Sequence, residues 1–125
     1  MTHFPKITIK KVPHNRQKYN TIGDYNKAGV IRISKMNFKM EACAALHELV
    51  EFALIKKNGI KIKDIEIWDK KHHHILSPGE LRGAPYYKEH MFAEKLERLF
   101  AKRLGLKWKD YDKMEEKLHK KYCKK

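Results

Sequence analysis

Ala42-Cys43-Ala44-Ala45-Leu46-His47-Glu48-Leu49-Val50-Glu51-Phe52-Ala53-Leu54-Ile55 decides how this chain is read. The run is apolar nearly all the way round a helix, which predicts a central helix packed on more than one side. Yet it carries an imidazole and two carboxylates. With His47 set at 0° and roughly 3.6 residues per turn, Glu51 falls at about +40° and Glu48 at about +100°. The residues beside His47 and Glu51 are Cys43, Ala44, Val50 and Leu54, none of them strongly polar. Burying a His and a Glu there is costly unless each is paired, neutralised or bound to a metal.

The whole helix is expected over Phe38–Lys57, with Asn37 or Ser34 as N-cap and Asn58-Gly59 closing it. Upstream, Lys6–Val12 alternates apolar and polar residues up to Pro13. Gln17–Ile22 reads as a weaker strand closed by Gly23-Asp24, and Gly29–Ser34 as a third. Together they predict a small antiparallel sheet. Downstream, Ile60–Lys71 fits a strand or a short helix from Lys63, with the helix favoured, and His72–Ala84 is a loop. A helix from Pro85 stops near Leu104 at Gly105, and a last one runs from Lys109 to about Tyr122. Strands first and helices after predict an α+β fold: one domain over 1–125, mainly β in 1–35 and mainly α in 36–125.

The second helix answers the first. With His90 at 0°, Glu94 lies at about +40° and Glu97 at about −20°, with Tyr86, Ala93, Ala101 and Leu104 on the same side. Two helices therefore each present His and Glu four residues apart, a spacing that lets both side chains reach one ion. If the faces meet, two imidazoles and two or three carboxylates converge. That donor set suits Zn²⁺ and accepts Mn²⁺ or Fe²⁺. The competing reading is a pair of plain His–Glu hydrogen bonds.

The formal net charge of +14, with pI about 9.8, favours polyanions and brings non-specific nucleic-acid contact into consideration. Only five of the 29 cations are Arg (Arg16, Arg32, Arg82, Arg98 and Arg103), so the bidentate fork that reads bases and phosphates is scarce. The Lys-rich stretch Lys113–Lys125 fits a solvated face or an anionic partner. No apolar run approaches the ~20 residues of a membrane span. Met1–Lys6 lacks the apolar core of a secretory signal, and Cys43 and Cys123 make no disulfide framework, so a reducing cytoplasm is expected. His72-His73-His74 reads as exposed, because adjacent imidazoles on a loop point apart. Trp68 and Trp108 read as hydrophobic anchors. Tyr86 and Tyr87 are core aromatics or a donor to an oxyanion.

Val30–Ser34 followed by Glu41-Ala-Cys-Ala-Ala-Leu-His-Glu-Leu-Val-Glu51 resembles the strand-to-active-helix passage of zincin metallopeptidases, with Glu51 standing where the second His of His-Glu-x-x-His would be. Ala84-Pro-Tyr-Tyr-Lys-Glu-His-Met-Phe-Ala-Glu-Lys-Leu-Glu97, with Leu104-Gly-Leu-Lys-Trp-Lys-Asp-Tyr111, looks like a group of small uncharacterised phage and prophage proteins. The likeness covers about residues 29–111. The zincin resemblance implies His47 and Glu51 as ligands, His90 or Glu94 as the third, and Glu97 or Tyr86 in support. It also implies Glu48 as general base on a metal-activated water. A carboxylate at Glu51 makes such a site more anionic and its ion a weaker Lewis acid. The expected activity is a metal-dependent, zinc-first hydrolase acting on a protein or peptide, in the host cytoplasm if the chain is phage-encoded. The alternatives are a non-enzymatic basic accessory protein that binds nucleic acid or a host protein, and a component of virion assembly.

Overall fold

The computed structural model describes residues 6–122; Met1–Pro5 and Cys123–Lys125, with the Cys123 expectation, lie outside the described residues. Three strands, β1 (Thr8–Val12), β2 (Gly23–Tyr25) and β3 (Val30–Ser34), precede four helices. These are α1 (Phe38–Lys57), α2 (Ile62–Lys71), α3 (Tyr87–Leu104) and α4 (Trp108–Tyr122), giving the expected small α+β fold. None of the described helices is long and apolar enough to cross a membrane.

The sheet departs from the expected antiparallel meander. Its order is β1-β3-β2, with β1 parallel to β3 and β2 antiparallel to it. Alternation reveals strands but not their direction, and here the stretch after Pro13 carries the chain across before it pairs. Gln17–Ile22 is not a strand. The Gln17 side chain instead donates to the carbonyls of Ile22 and Arg32 at 3.2 and 3.3 Å. Pairing begins at Gly23, the residue expected to end it. A Cβ at Gly23 would lie 2.7 Å from Glu48 Cγ, so glycine lets this strand pass close over α1.

Helix α1 forms over the expected residues. Asn37 Oδ1 accepts from the Met40 amide at 3.0 Å, and Gly59, with φ of 70°, lets the Ile60 amide reach back to the Ile55 carbonyl. It packs on β2 and β3 on one side and along α3 on another, as an all-round apolar helix requires. Phe52, Ile55 and Cys43 are fully buried and share one core with Ile31 of the sheet. Ala93 and Ala101, the small residues of α3, are buried too, which brings the axes close enough for short polar side chains to meet.

Candidate metal centre

The close approach of α1 and α3 joins the two His–Glu faces. His47 Nε2 lies 2.9 Å from Glu51 Oε2, His90 Nδ1 lies 2.9 Å from the same oxygen, and the two nitrogens are 3.2 Å apart. A tetrahedral ion with bonds of about 2.0–2.1 Å spaces its ligands about 3.3 Å apart, so this triangle is one tetrahedral face slightly contracted. His47, Glu51 and His90 could together hold a metal ion.

Each ligand is fixed through its far atom. His47 Nδ1 donates to Glu97 Oε1 at 2.8 Å, Tyr25 OH donates to Glu51 Oε1 at 2.7 Å, and Ser77 Oγ lies 3.2 Å from His90 Nε2. Such partners set ring tautomer and carboxylate orientation, the usual surroundings of metal ligands. Gly79 completes the cradle. A Cβ there would stand 2.6 Å from His90 Cγ and Nδ1, so only glycine lets the loop lie flat on the ring.

Proton counting makes the triangle informative. With its Nδ1 proton on Glu97, a neutral His47 would turn the Nε2 lone pair on a carboxylate oxygen. Burial alone lowers the pKa of His47, but the hydrogen bonds to Glu51 and Glu97 outweigh it and hold the imidazolium well above the ordinary value. Burial likewise raises Glu51, and its bonds to His47 and His90 overcome that and bring it down to about 2. Positive charge is therefore favoured between these three atoms; a proton on His47 supplies it in the metal-free protein, and a cation could take that proton's place. The four side chains His47, Glu51, His90 and Glu97 are only 4% to 8% exposed, so solvent screens little of this.

Of the other expected site residues, Glu48 is half-buried beside the triad and packs over Gly23. Burial, then the negative charge of Glu51, raises its carboxyl well above the usual range. Glu97 stands behind His47. Glu94 groups instead with Glu80 and His90, its ligand atoms within 4.8 Å of theirs, and makes a 3.7 Å ion pair with Arg98. Tyr86 is buried and donates its hydroxyl to Asp69, so its one proton is committed away from any oxyanion. Burial pushes that Asp69 carboxyl up to about 7. His73 and His74 are exposed as expected, whereas His72 at the end of α2 is half-buried, because its ring stacks on Trp68.

The triad lies on the wall of a cavity of about 570 Å³. Glu48, Glu51, Glu94 and Glu97 line it from α1 and α3, Asp24 from β2, and Glu66 and Asp69 from α2. Glu80, with Asp112, Glu115 and Glu116 of α4, completes the wall, so eleven of the chain's fifteen acidic residues border one space. Among the described residues, Arg98 is the only Lys or Arg to line it. Tyr25, Ser77, Gly23, Gly79 and Asp69 were not singled out by sequence reasoning. Gly23 left a signal only as the close of a strand, and Ser77 and Gly79 only as members of the loop His72–Ala84. Compared with protein-family models, with curated proteins and with solved structures, the chain matches none, so the chemistry of the site rests on its own atoms.

Proposed function

We propose that this chain is a metal-dependent hydrolase of peptide-like substrates, with His47, Glu51 and His90 holding a zinc ion and Glu48 as general base. The observation that carries the reading is the triangle of one carboxylate oxygen and two imidazole nitrogens, each braced from behind. Three protein ligands with a fourth position open toward a cavity is the arrangement of catalytic rather than structural zinc sites. A bound Zn²⁺ supplies Lewis acidity and lowers the pKa of an attacking water toward ~7.

The chain's own residues then perform the proton work. Burial and the charge of Glu51 disfavour ionisation of Glu48. Neutralising Glu51 removes one of those two causes and readies Glu48 to accept a proton from water. It can pass that proton to the leaving amine, a transfer that positioned carboxylates accelerate by roughly 10²–10⁴. Glu97 holds His47 in the tautomer that leaves Nε2 free, and Tyr25 keeps Glu51 Oε2 turned to the two rings.

The reading is tested with zinc-loaded protein and fluorescein-labelled denatured casein. Cleavage is expected from the parent chain and should fall at least ~100-fold in Glu48→Gln while zinc per chain stays the same. Undiminished cleavage by Glu48→Gln would remove the proposed base. Bound zinc without cleavage of any labelled protein would leave a structural centre. The basic exterior supports a second reading, a polyanion-binding accessory protein. Retention of duplex DNA at ~150 mM salt would favour it, whereas retention at low salt alone is the generic effect of net charge.

A further inference from the structure

The pair of helices that builds the metal centre also carries an apolar face on its other side. His47 meets Glu97 and Glu51 meets His90, so the partners run in opposite order and α1 and α3 are antiparallel. Rotation of the same sign from the shared seam therefore leads to the same side of the pair. Positive angles lead to the cavity, which Glu48 lines from α1 at about +100° and Glu94 and Arg98 line from α3 at about +40° and +80°. Negative angles lead away from it. There stand Val50 and Leu46 of α1, at about −60° and −100°, and Leu96 and Phe92 of α3, at about −120° and −160°, with Leu99 beside them.

The fold does not use this face. Phe92 and Leu99 are 49% and 56% exposed, while Leu46, Val50 and Leu96 are half-buried yet stand apart from the buried core. Of the described elements packed on the two helices, β2, α4 and the turn Pro78–Glu80 all border the cavity, on the opposite side. A contiguous apolar patch left open in this way marks an interaction surface.

Its rim has one sign of charge. Glu41, Glu48, Glu51 and Glu94 sit at positive angles, and Glu97 lies in the seam. Glu89 is on the outer side, but it is buried and accepts from the Asn58 side-chain amide at 2.7 Å. The exposed groups around the face are Lys39 and Lys57, both at about −80° on α1, and Arg103, at about −140° on α3. A second copy seated here would bring two cationic rims together. Phe92 and Leu99 also stand out from the face rather than line a groove for a partner helix.

We infer that the outer α1–α3 face rests on an anionic lipid surface, with Phe92, Leu96 and Leu99 entering the acyl boundary and Lys39, Lys57 and Arg103 meeting the headgroups. Apolar side chains ringed by cations bind such a surface through both terms, and lysine stems are long enough to carry their charge back up to the phosphates. The chain lies on the bilayer without spanning it, and its cavity is turned toward water. The net charge of +14 adds long-range attraction but does not choose a side; the apolar face does. The inference needs neither metal nor turnover and stands apart from the proposed hydrolase.

The test is co-flotation of the full chain at ~150 mM salt with vesicles of phosphatidylcholine alone or with about 30 mol% phosphatidylglycerol. Partitioning should be at least ~10-fold stronger into the anionic vesicles. Phe92→Ser/Leu99→Ser and, separately, Lys39→Gln/Lys57→Gln/Arg103→Gln should each weaken it at least ~10-fold with circular dichroism unchanged. Lys109→Gln/Lys113→Gln/Lys117→Gln removes the same charge from α4 and should weaken it less than ~3-fold. Equal losses from the two triple substitutions, or binding indifferent to Phe92→Ser/Leu99→Ser, would reduce the effect to net charge and overturn the inference. No preference for the anionic vesicles would overturn it in favour of a protein partner. A dimer by sedimentation equilibrium that Phe92→Ser/Leu99→Ser dissolves would give the face to a second copy instead. Zinc content is read independently, so failure of the hydrolase leaves this result untouched.

Discussion

His14 and His47 are both buried, both held at two nitrogens, and differ in what holds them. His14 lies between Ser34 Oγ, 2.7 Å from Nδ1, and Asn20 Oδ1, 2.7 Å from Nε2. Both partners are neutral, and one proton per ring satisfies the whole arrangement. Burial lowers its pKa, as expected where no carboxylate stands by. The Asn20 amide passes the linkage on to the His119 carbonyl of α4 at 2.7 Å, so this histidine joins the N-terminal region to the last helix. His47 instead faces two carboxylates and a second imidazole, and no neutral ring satisfies them all. A buried histidine among neutral hydrogen-bonding groups is satisfied as a neutral ring; one among carboxylates and another imidazole favours positive charge, which a proton or a cation can supply.

The contrast is broken most strongly at the glycine on which His90 rests. Gly79→Ala puts a Cβ where His90 Cγ and Nδ1 stand, at 2.6 Å, and the ring must move. Zinc affinity should drop at least ~100-fold by competition with a chromophoric chelator, with the far-ultraviolet circular dichroism retained. Unchanged affinity would mean that His90 is not positioned by the loop.

A smaller effect separates the partners of the two histidines. Glu97→Gln should weaken zinc binding about 10- to 100-fold, the usual cost of losing the group behind a ligating imidazole. Asn20→Ala strands one nitrogen of His14 and should cost about 1–3 kcal/mol in denaturant unfolding, with zinc affinity unchanged. If Asn20→Ala weakened zinc binding as much as Glu97→Gln, the two regions would not be independent.

The smallest effect is on pH. In the metal-free protein burial raises Asp69 and Glu115, to about 7 and about 8, and the bond to Glu94 raises Glu80 to about 7. These groups bind protons more tightly folded than unfolded. Their contribution is complete below the unfolded carboxyl range of about 4 and is lost as pH rises through the folded values. Glu51, brought down to about 2, acts in the opposite sense, and its contribution disappears as pH falls from about 4.5 toward 2. The metal-free protein should melt about 5 °C higher at pH 5.5 than at pH 8, and the rise in Tm on adding zinc should be larger at pH 8, where fewer protons must be displaced. A metal-free Tm that climbs from pH 5.5 to 8 would contradict this balance.

What could be read from the sequence follows from the range of each interaction. Helix α1 and its ends were legible because periodicity, Asn37 and Gly59 act within a few residues. The convergence of His47, Glu51 and His90 was anticipated because both helices repeat one spacing on small-residue faces. Strand direction was not legible, since pairing β1 with β3 depends on the path of the intervening chain. Gly23 read as a turn because its reason for being glycine, the side chain of Glu48, lies 25 residues on. Tyr25, Ser77 and Gly79 were invisible for the same reason: each braces a ligand from a distant segment. The acid-walled cavity needed the fold, because its carboxylates arrive from β2, all four helices and the loop carrying Glu80.

Zinc stoichiometry tests the central claim most directly, measured by elemental analysis of the parent chain and of His47→Ala and His14→Ala after equal zinc loading and desalting. The account predicts about one ion per chain in the parent and in His14→Ala, and less than ~0.2 in His47→Ala. Zinc below ~0.2 per chain in the parent, or equal in the parent and His47→Ala, would contradict it.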